Sequence, residues 1–308
     1  MDELRFDGRA VIVTGAGRGV GRCHALLLAS RGAKVIVADL GGQLDGSGSS
    51  SDPADEVVKE IETAGGEAVA CYASVAEEAG AASIVQTAID AFGRIDAVVN
   101  NAGIADPDWF EDMTIDRFRQ MIDVHYMGTV NVTMAAYPHM MQAGYGRIVN
   151  TCSEGSFGIT PKATAYGGAK GAVYGFTRTL ALDAARHGIH VNAVAPRAKT
   201  RLSGPEVLAK TYDVPVEVFT SEGATMDHYP PELVSPAAVF LAHESCGLVG
   251  DVLVSGGGQV FRLALMANEG ITKDALSPED VAANIDTLMD TTGANEVVVG
   301  TLVGEIEE

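Results

Sequence analysis

Two apolar runs bracketing a glycine loop constrain this chain more than any other feature. Ala10-Val-Ile-Val-Thr14 reads as a strand buried on both faces, Gly15-Ala-Gly-Arg-Gly-Val-Gly21 follows it, and residues 22–31 carry a helical apolar period. A second buried run, Lys34-Val-Ile-Val-Ala-Asp39, completes a strand–helix–strand unit. Such a unit places its two strands parallel in one sheet with the helix packed across them. The glycines let the backbone approach a pyrophosphate, which the orphan amides and dipole of the helix N-terminus then stabilise. Asp39 ends the second strand, where a carboxylate accepts hydrogen bonds from an adenosine ribose diol and repels a 2′-phosphate. That favours NAD over NADP as the cofactor. Arg18 in the loop either pairs with such a phosphate, which would favour NADP, or is a surface charge.

Buried runs recur at 67–72, 95–100, 147–152, 189–195 and 251–255, each separated by helical patterning, which makes seven strands in all. The expected fold is α/β: a single Rossmann-like, doubly wound domain with a seven-stranded parallel sheet and helices on both faces. With 308 residues, 47% of them hydrophobic, the chain can bury one large core over 1–258, leaving a C-terminal extension at 259–308. The segment 41–53 is too rich in glycine and serine to be a regular element and reads as a flexible loop at the adenosine end. Asp52-Pro53 supplies a cap and first-turn proline for a helix through Ala64.

Against 21 basic residues stand 41 acidic ones, a net charge of −20, which opposes binding to nucleic acid or an anionic membrane. No apolar run approaches the ~18 residues of a membrane span, and the charged start Met-Asp-Glu-Leu-Arg lacks a signal-peptide core. The expected location is cytoplasmic. Cys23, Cys71, Cys152 and Cys246 show no C-x-x-C spacing, so neither a disulfide framework nor a metal site is expected.

Between Ser153 and Lys170 the chain carries the parts of a proton-transfer device. Tyr166 and Lys170 lie four residues apart, so on one helix their side chains share a face. A free phenol ionises near pH ~10, and making it a base near pH ~7 requires roughly 4 kcal/mol of phenolate stabilisation, which a partly buried lysine can supply. A serine hydroxyl from the preceding strand end, Ser153, can hydrogen-bond the same substrate oxygen. The chemistry these groups suit is alcohol/ketone interconversion.

The glycine loop with Thr14, Gly15, Gly19 and Gly21, the Asn100-Asn-Ala-Gly103 segment, and Ser153, Tyr166 and Lys170 in that order resemble the short-chain dehydrogenase/reductase family. The resemblance runs from about residue 8 to about residue 258. It implies hydride transfer between a secondary alcohol and NAD, with Tyr166 as acid/base, Lys170 on the nicotinamide ribose, Ser153 on the substrate oxygen and Asn101 beside the cofactor. Further cofactor contacts implied by it come from Gly17, Val20, Leu40, Ser74, Val75, Ala102, Gly103, Pro196, Ala198 and Thr200. It also implies a homodimer or homotetramer.

Three departures stand out. His125-Tyr-Met-Gly128 has histidine where the family commonly places an asparagine that anchors a relay water, so His125 either holds that water or merely packs. Ala195-Pro196-Arg197 has arginine where glycine is common, either serving through its backbone or reaching a phosphate or acidic group. Glu154 follows the serine, either pointing away or binding a polar substrate atom. The histidine, Asp39-Leu-Gly-Gly42 with its polar insertion, and His243-Glu-Ser-Cys246 resemble the dehydrogenase domains of peroxisomal type 2 multifunctional enzymes. That likeness implies a lipophilic substrate, a 17β-hydroxysteroid or a (3R)-3-hydroxyacyl-CoA.

The resemblance implies a substrate lid at residues 196–236, where Leu202, Val207, Leu208, Tyr212, Phe219, Met226 and Tyr229 suit either a bulky lipophilic substrate or an ordinary packed excursion. A CoA thioester would draw on Arg197, Lys199, Arg201 and Lys210 at the mouth. Ser277-Pro-Glu-Asp280 starts a helix, and the apolar run 297–303 reads as an extra strand or an arm on another subunit. The chain ends Glu-Ile-Glu-Glu rather than in a peroxisomal S-K-L signal. Two other readings compete. An NADPH-linked 3-oxoacyl carrier-protein reductase is favoured by Arg18 and opposed by Asp39. A non-catalytic nucleotide-binding regulator is opposed by the intact serine, tyrosine and lysine.

Overall fold

The computed structural model describes residues 3–220 and 225–300, in two compact units, 1–262 and 263–308. In the first unit strands and helices alternate: β1 (Ala10–Thr14), α1 (Gly19–Ser30), β2 (Lys34–Ala38), α2 (Asp52–Thr63), β3 (Glu67–Cys71), α3 (Glu78–Phe92) and β4 (Ala97–Asn100). There follow α4 (Ile115–Ile122), one π-helical turn (Asp123–Met127), α5 (Gly128–Ala143), β5 (Gly146–Thr151), α6 (Thr164–Ala185) and β6 (Ile189–Pro196). The segment expected as a lid holds α7 (Pro205–Tyr212) and α8 (Glu217–Thr220), and α9 (Ser235–Ala242), β7 (Val252–Gly256) and β8 (Gln259–Leu263) close the series.

The sheet order is β3-β2-β1-β4-β5-β6-β7-β8, and β1 to β7 pair in parallel. All seven expected strands are present. The eighth corrects the expected count: Gly257 and Gly258, both at positive φ, turn the chain straight back, which a two-residue connection permits only to an antiparallel neighbour.

Residue parity builds the two layers. Val11, Val13, Val35, Val37 and Val99 face one core with Ala25 and Leu28 of α1, Val57 and Ile61 of α2 and Leu241 of α9. Ile12, Ile36, Val98 and Ile148 point the opposite way, onto Ile84 of α3, Val132 and Met140 of α5 and Ala181 of α6. Successive strand side chains alternate faces, so a strand covered on both sides must be apolar throughout. Ile12 and Ile36 are fully buried, each worth about 1.5–3 kcal/mol of transfer free energy.

Because β1 lies between β2 and β4, the chain leaves it in opposite directions on its two sides, which opens a crevice above the carboxyl ends of β1 and β4. The second unit is small. Its β9 (Met266–Ala267) pairs antiparallel with β10 (Asn295–Glu296), and α10 (Pro278–Ala283) begins at a Ser277/Asp280 capping box before α11 (Ile285–Met289). Of the expected apolar run 297–303, Val297 N donates to Leu265 O at 2.8 Å, while 301–303 lie outside the described residues.

Candidate active site

The crevice is built by stitching β4 to the glycine loop. Thr14 Oγ1 accepts from the amides of Asn101 (3.0 Å) and Ala102 (3.1 Å), and Asn101 Nδ2 donates to the carbonyls of Thr14 (2.9 Å) and Gly15 (3.1 Å). Asn101 therefore shapes the loop with its side chain. Gly15 and Gly19 adopt φ of 62° and 53°, and a Cβ on Gly21 would lie 2.1 Å from Gly15 O. No other residue fits that turn. Helix α1 opens with no side-chain cap and no carboxylate in its first turn, so its leading amides are left for an anion. A glycine cradle ending in uncapped amides fits the pyrophosphate of a nicotinamide dinucleotide.

Asp39 is held by two amides, Gly17 N on Oδ2 and Gly41 N on Oδ1, each at 2.7 Å. Gly17 is the one expected cofactor residue that does not line the cleft; it orients Asp39 instead. Arg18 is exposed on the cleft rim beside Arg201, whose guanidinium is pulled below its usual value by burial and then by the Arg18 charge, with Asp39 opposing. Arg201 also donates to Gly42 O at 2.9 Å.

Strand β5 delivers Cys152 and Ser153, and a single turn (Glu154–Phe157) leads on toward α6. Lys170 is only 3% exposed, its Nζ donates to Thr151 O at 2.7 Å, and burial pulls it down to about 8. Its Nζ stands 5.9 Å from the centroid of the Tyr166 ring, the face-sharing that the four-residue spacing predicts. Burial pushes the Tyr166 phenol up, while the nearby Ser153 hydroxyl pulls it down. Ser153 Oγ accepts from Gly155 N at 3.1 Å.

His125 sits on the π-helical turn between α4 and α5, fully buried, with Nε2 2.9 Å from Ile104 O and 3.2 Å from Ile104 N. Its ring packs edge-on against Tyr166, centroids 5.2 Å apart at 88°. Desolvation, and then the Lys170 charge, hold the imidazole neutral. Nδ1 has no partner among the described groups. A Cβ on Gly103 would lie 2.6 Å from His125 Cε1, so the glycine of the Asn-Asn-Ala-Gly segment makes room for this ring.

The cleft, about 410 Å³, continues past Tyr166 between Ile104, Met113, Met121, Val124, Leu202 and Leu208. Of the expected lid residues Leu202, Val207, Leu208 and Tyr212 line it, whereas Phe219, Met226 and Tyr229 do not; Phe219 packs at a tilt against Tyr212 instead. The segment 41–53 is not a loose connector: Leu44 O accepts from Ala105 N at 3.0 Å, and Gln43 and Gly46 line the cleft. Nor does Asp52 cap α2; it is the first helical residue, and its amide donates to Ser50 Oγ at 3.2 Å.

Most of the expected basic mouth is occupied by acids. Arg197 forks onto Glu154 at 2.6 and 2.7 Å, Lys199 pairs with Asp227, and Lys210 lies 3.5 Å from Asp106. Asp106 and Asp108 are also held by Arg117 at 2.5–2.8 Å. Lys162 also lines the cleft. Buried at a φ of 56°, it donates to Lys210 O at 2.7 Å and pairs with Asp213, tying the loop before α6 to the end of α7. Nothing in its sequence neighbourhood marks it, because its partners are 48 and 51 residues away. Among the described residues no group of His, Cys, Asp or Glu is arranged to hold a metal ion, and no helix is long and apolar enough to cross a membrane.

Residues 9–203 match the short chain dehydrogenase family, and the chain belongs to that family of oxidoreductases. A short-chain type dehydrogenase/reductase of Mycobacterium tuberculosis is 44% identical over 93% of this chain and 96% of its own length. Peroxisomal multifunctional enzyme type 2 of Mus musculus is 40% identical over 95% of this chain, which spans only 38% of that enzyme. Among solved structures, 7α-hydroxysteroid dehydrogenase complexed with NADH and 7-oxo glycochenodeoxycholic acid superposes with a TM-score of 0.71 at 27% identity, over 84% of this chain and 98% of the other.

Proposed function

We propose that this chain is an NAD-dependent dehydrogenase interconverting a secondary alcohol and a ketone on a lipophilic substrate, a (3R)-3-hydroxyacyl thioester of CoA above all. The observation that carries the reading is the convergence of Tyr166, Lys170 and the glycine cradle on one cleft whose far end is apolar. The likeness to the multifunctional enzyme supports the acyl-CoA class. Asp39 supports NAD, since a 2′-phosphate would meet its carboxylate oxygens.

Gly15, Gly19, Gly21 and the first amides of α1 would hold the pyrophosphate, Asp39 the adenosine ribose, and Lys170 the nicotinamide ribose. When bound, the nicotinamide supplies the hydride acceptor. Ser153 Oγ donates to the substrate oxygen and fixes its direction. Tyr166 Oη takes the hydroxyl proton in oxidation and returns it in reduction. Lys170 shares a helix face with Tyr166, and His125, neutral and pinned by Ile104, packs against the Tyr166 ring and offers Nδ1 as a relay position.

A neutral hydroxysteroid is the second reading, favoured because Arg197, Lys199 and Lys210 are already paired with carboxylates and so are poorly placed to receive CoA phosphates. Turnover of NAD with 17β-hydroxysteroids and with 3-hydroxyacyl-CoAs of several lengths separates the two. Tyr166→Phe should reduce turnover roughly 10²–10⁴-fold while leaving NADH affinity unchanged. Near wild-type turnover in that variant would refute the assignment.

A further inference from the structure

We propose that the Arg197–Glu154 ion pair is a positioning clamp that holds the nicotinamide end of the cofactor site in register with the Ser153 hydroxyl. The inference rests on the dehydrogenase reading above. The backbone of Arg197 is fixed without help from its side chain: N donates to Ser255 O at 2.8 Å, and a Cβ on Gly256 would lie 2.0 Å from Arg197 O. The side chain is thus available for another task.

Its Nε and Nη2 meet Glu154 Oε2 and Oε1 at 2.6 and 2.7 Å, a bidentate fork, and its guanidinium carbon lies 5.0 Å from the centroid of the Phe261 ring on β8. Glu154 stands between Ser153 and Gly155, and the Gly155 amide donates to Ser153 Oγ. The carboxylate therefore anchors the one turn that aims the serine. Arg197 follows Pro196, and Pro196 and Ala198 line the cleft. One fork joins the end of β5 to the end of β6.

Neither Arg197 nor Glu154 lines the cleft, and the polar ends of their side chains are engaged with each other. The pair's contribution to stability is small, because the arginine side chain is 36% exposed and exposed pairs are screened by water. What a planar fork transmits is position, and a displacement of about 1 Å near reacting groups can cost about a hundredfold in rate.

The test compares Arg197→Ala, Glu154→Ala, the double variant and Arg197→Lys with the unaltered protein. Three quantities are measured: NADH affinity, ADP-ribose affinity and melting temperature. ADP-ribose has the same adenosine and diphosphate but no nicotinamide, so the difference between the two ligands isolates the clamped end. Each alanine variant should bind NADH about tenfold more weakly, with ADP-ribose affinity and melting temperature unchanged. The double should be no worse than either single, as for groups acting as a unit, and Arg197→Lys, keeping charge but not the fork, should fall between.

Equal losses for NADH and ADP-ribose, additive losses in the double, or undiminished NADH affinity would each overturn the clamp. An unaltered protein that binds neither ligand overturns both the clamp and the dehydrogenase reading. One that binds NADH but oxidises no alcohol defeats only the latter.

Discussion

Asp39 is a single side chain fixed from two parts of the chain. Its two oxygens are each held by a backbone amide, one from the glycine loop and one from the insertion, so the carboxylate is oriented before any ligand arrives. Removing it should relax the choice of cofactor. Asp39→Ala should lower the NAD/NADP ratio of kcat/KM about tenfold or more, because the repulsion toward a 2′-phosphate is gone while Arg18 and Arg201 remain. An unchanged ratio would place the discrimination elsewhere. Tyr166 and Lys170 illustrate the limit of spacing arguments. Four residues apart, they share a face as expected, yet Lys170 spends a hydrogen bond on Thr151 O, a partner 19 residues away that the i,i+4 rule does not reveal. His125 was visible as a departure from a motif, but its pairing with Ile104 and its fit against Gly103 depend on how β4 and the π-helical turn meet.

At the scale of elements, the insertion between β2 and α2 behaves as a strap. Composition alone suggested a loose loop, because glycine and serine report freedom in the unfolded chain and say nothing about partners distant in sequence. In the fold, Gln43 and Ser47 close a turn, Leu44 O accepts from Ala105 N, and Arg201 reaches Gly42 O from beyond the end of β6. The loop thus bridges the ends of β2 and β4 and the segment after β6. Replacing residues 43–49 with a short glycine–serine turn should speed NADH dissociation about tenfold without changing the melting temperature. Stopped-flow displacement measures it, and an unchanged rate constant would reduce the loop to a surface decoration. The π-helical turn at His125 is also an element-scale feature, since a single wide turn re-aims the side chains that follow it.

For the whole molecule, the buried histidines tie folding to pH. His24 on α1 is fully enclosed against α9, its Nδ1 2.9 Å from Ser235 Oγ and its Nε2 without a partner, and burial lowers it from the usual 6.5 to about 3. Between those values the unfolded chain binds a proton that the folded chain does not. Stability therefore increases with pH across that window and levels off above it, by at most about 1.4 kcal/mol per pH unit for each such group. His125, also lowered, adds in the same direction. Urea unfolding at about pH 7.5, 6 and 5 should show the decline, and His24→Gln should flatten it. An equally steep decline in the variant would remove His24 from the account.

The sequence by itself determined the seven parallel strands, the positive-φ glycines of the loop and the shared face of Tyr166 and Lys170. Each of these follows from local patterning: apolar runs too long to be anything but doubly covered strands, glycines at obligatory positive φ, and a four-residue spacing on one helix. The tertiary structure alone decided which charges pair. Arg197 with Glu154, Lys162 with Asp213 and the insertion with Ala105 join residues 43, 51 and about 60 positions apart, and no local period encodes contacts at that separation. Charged side chains are long and solvated in isolation, so only the folded backbone, by bringing loop ends together above the sheet, selects their partners.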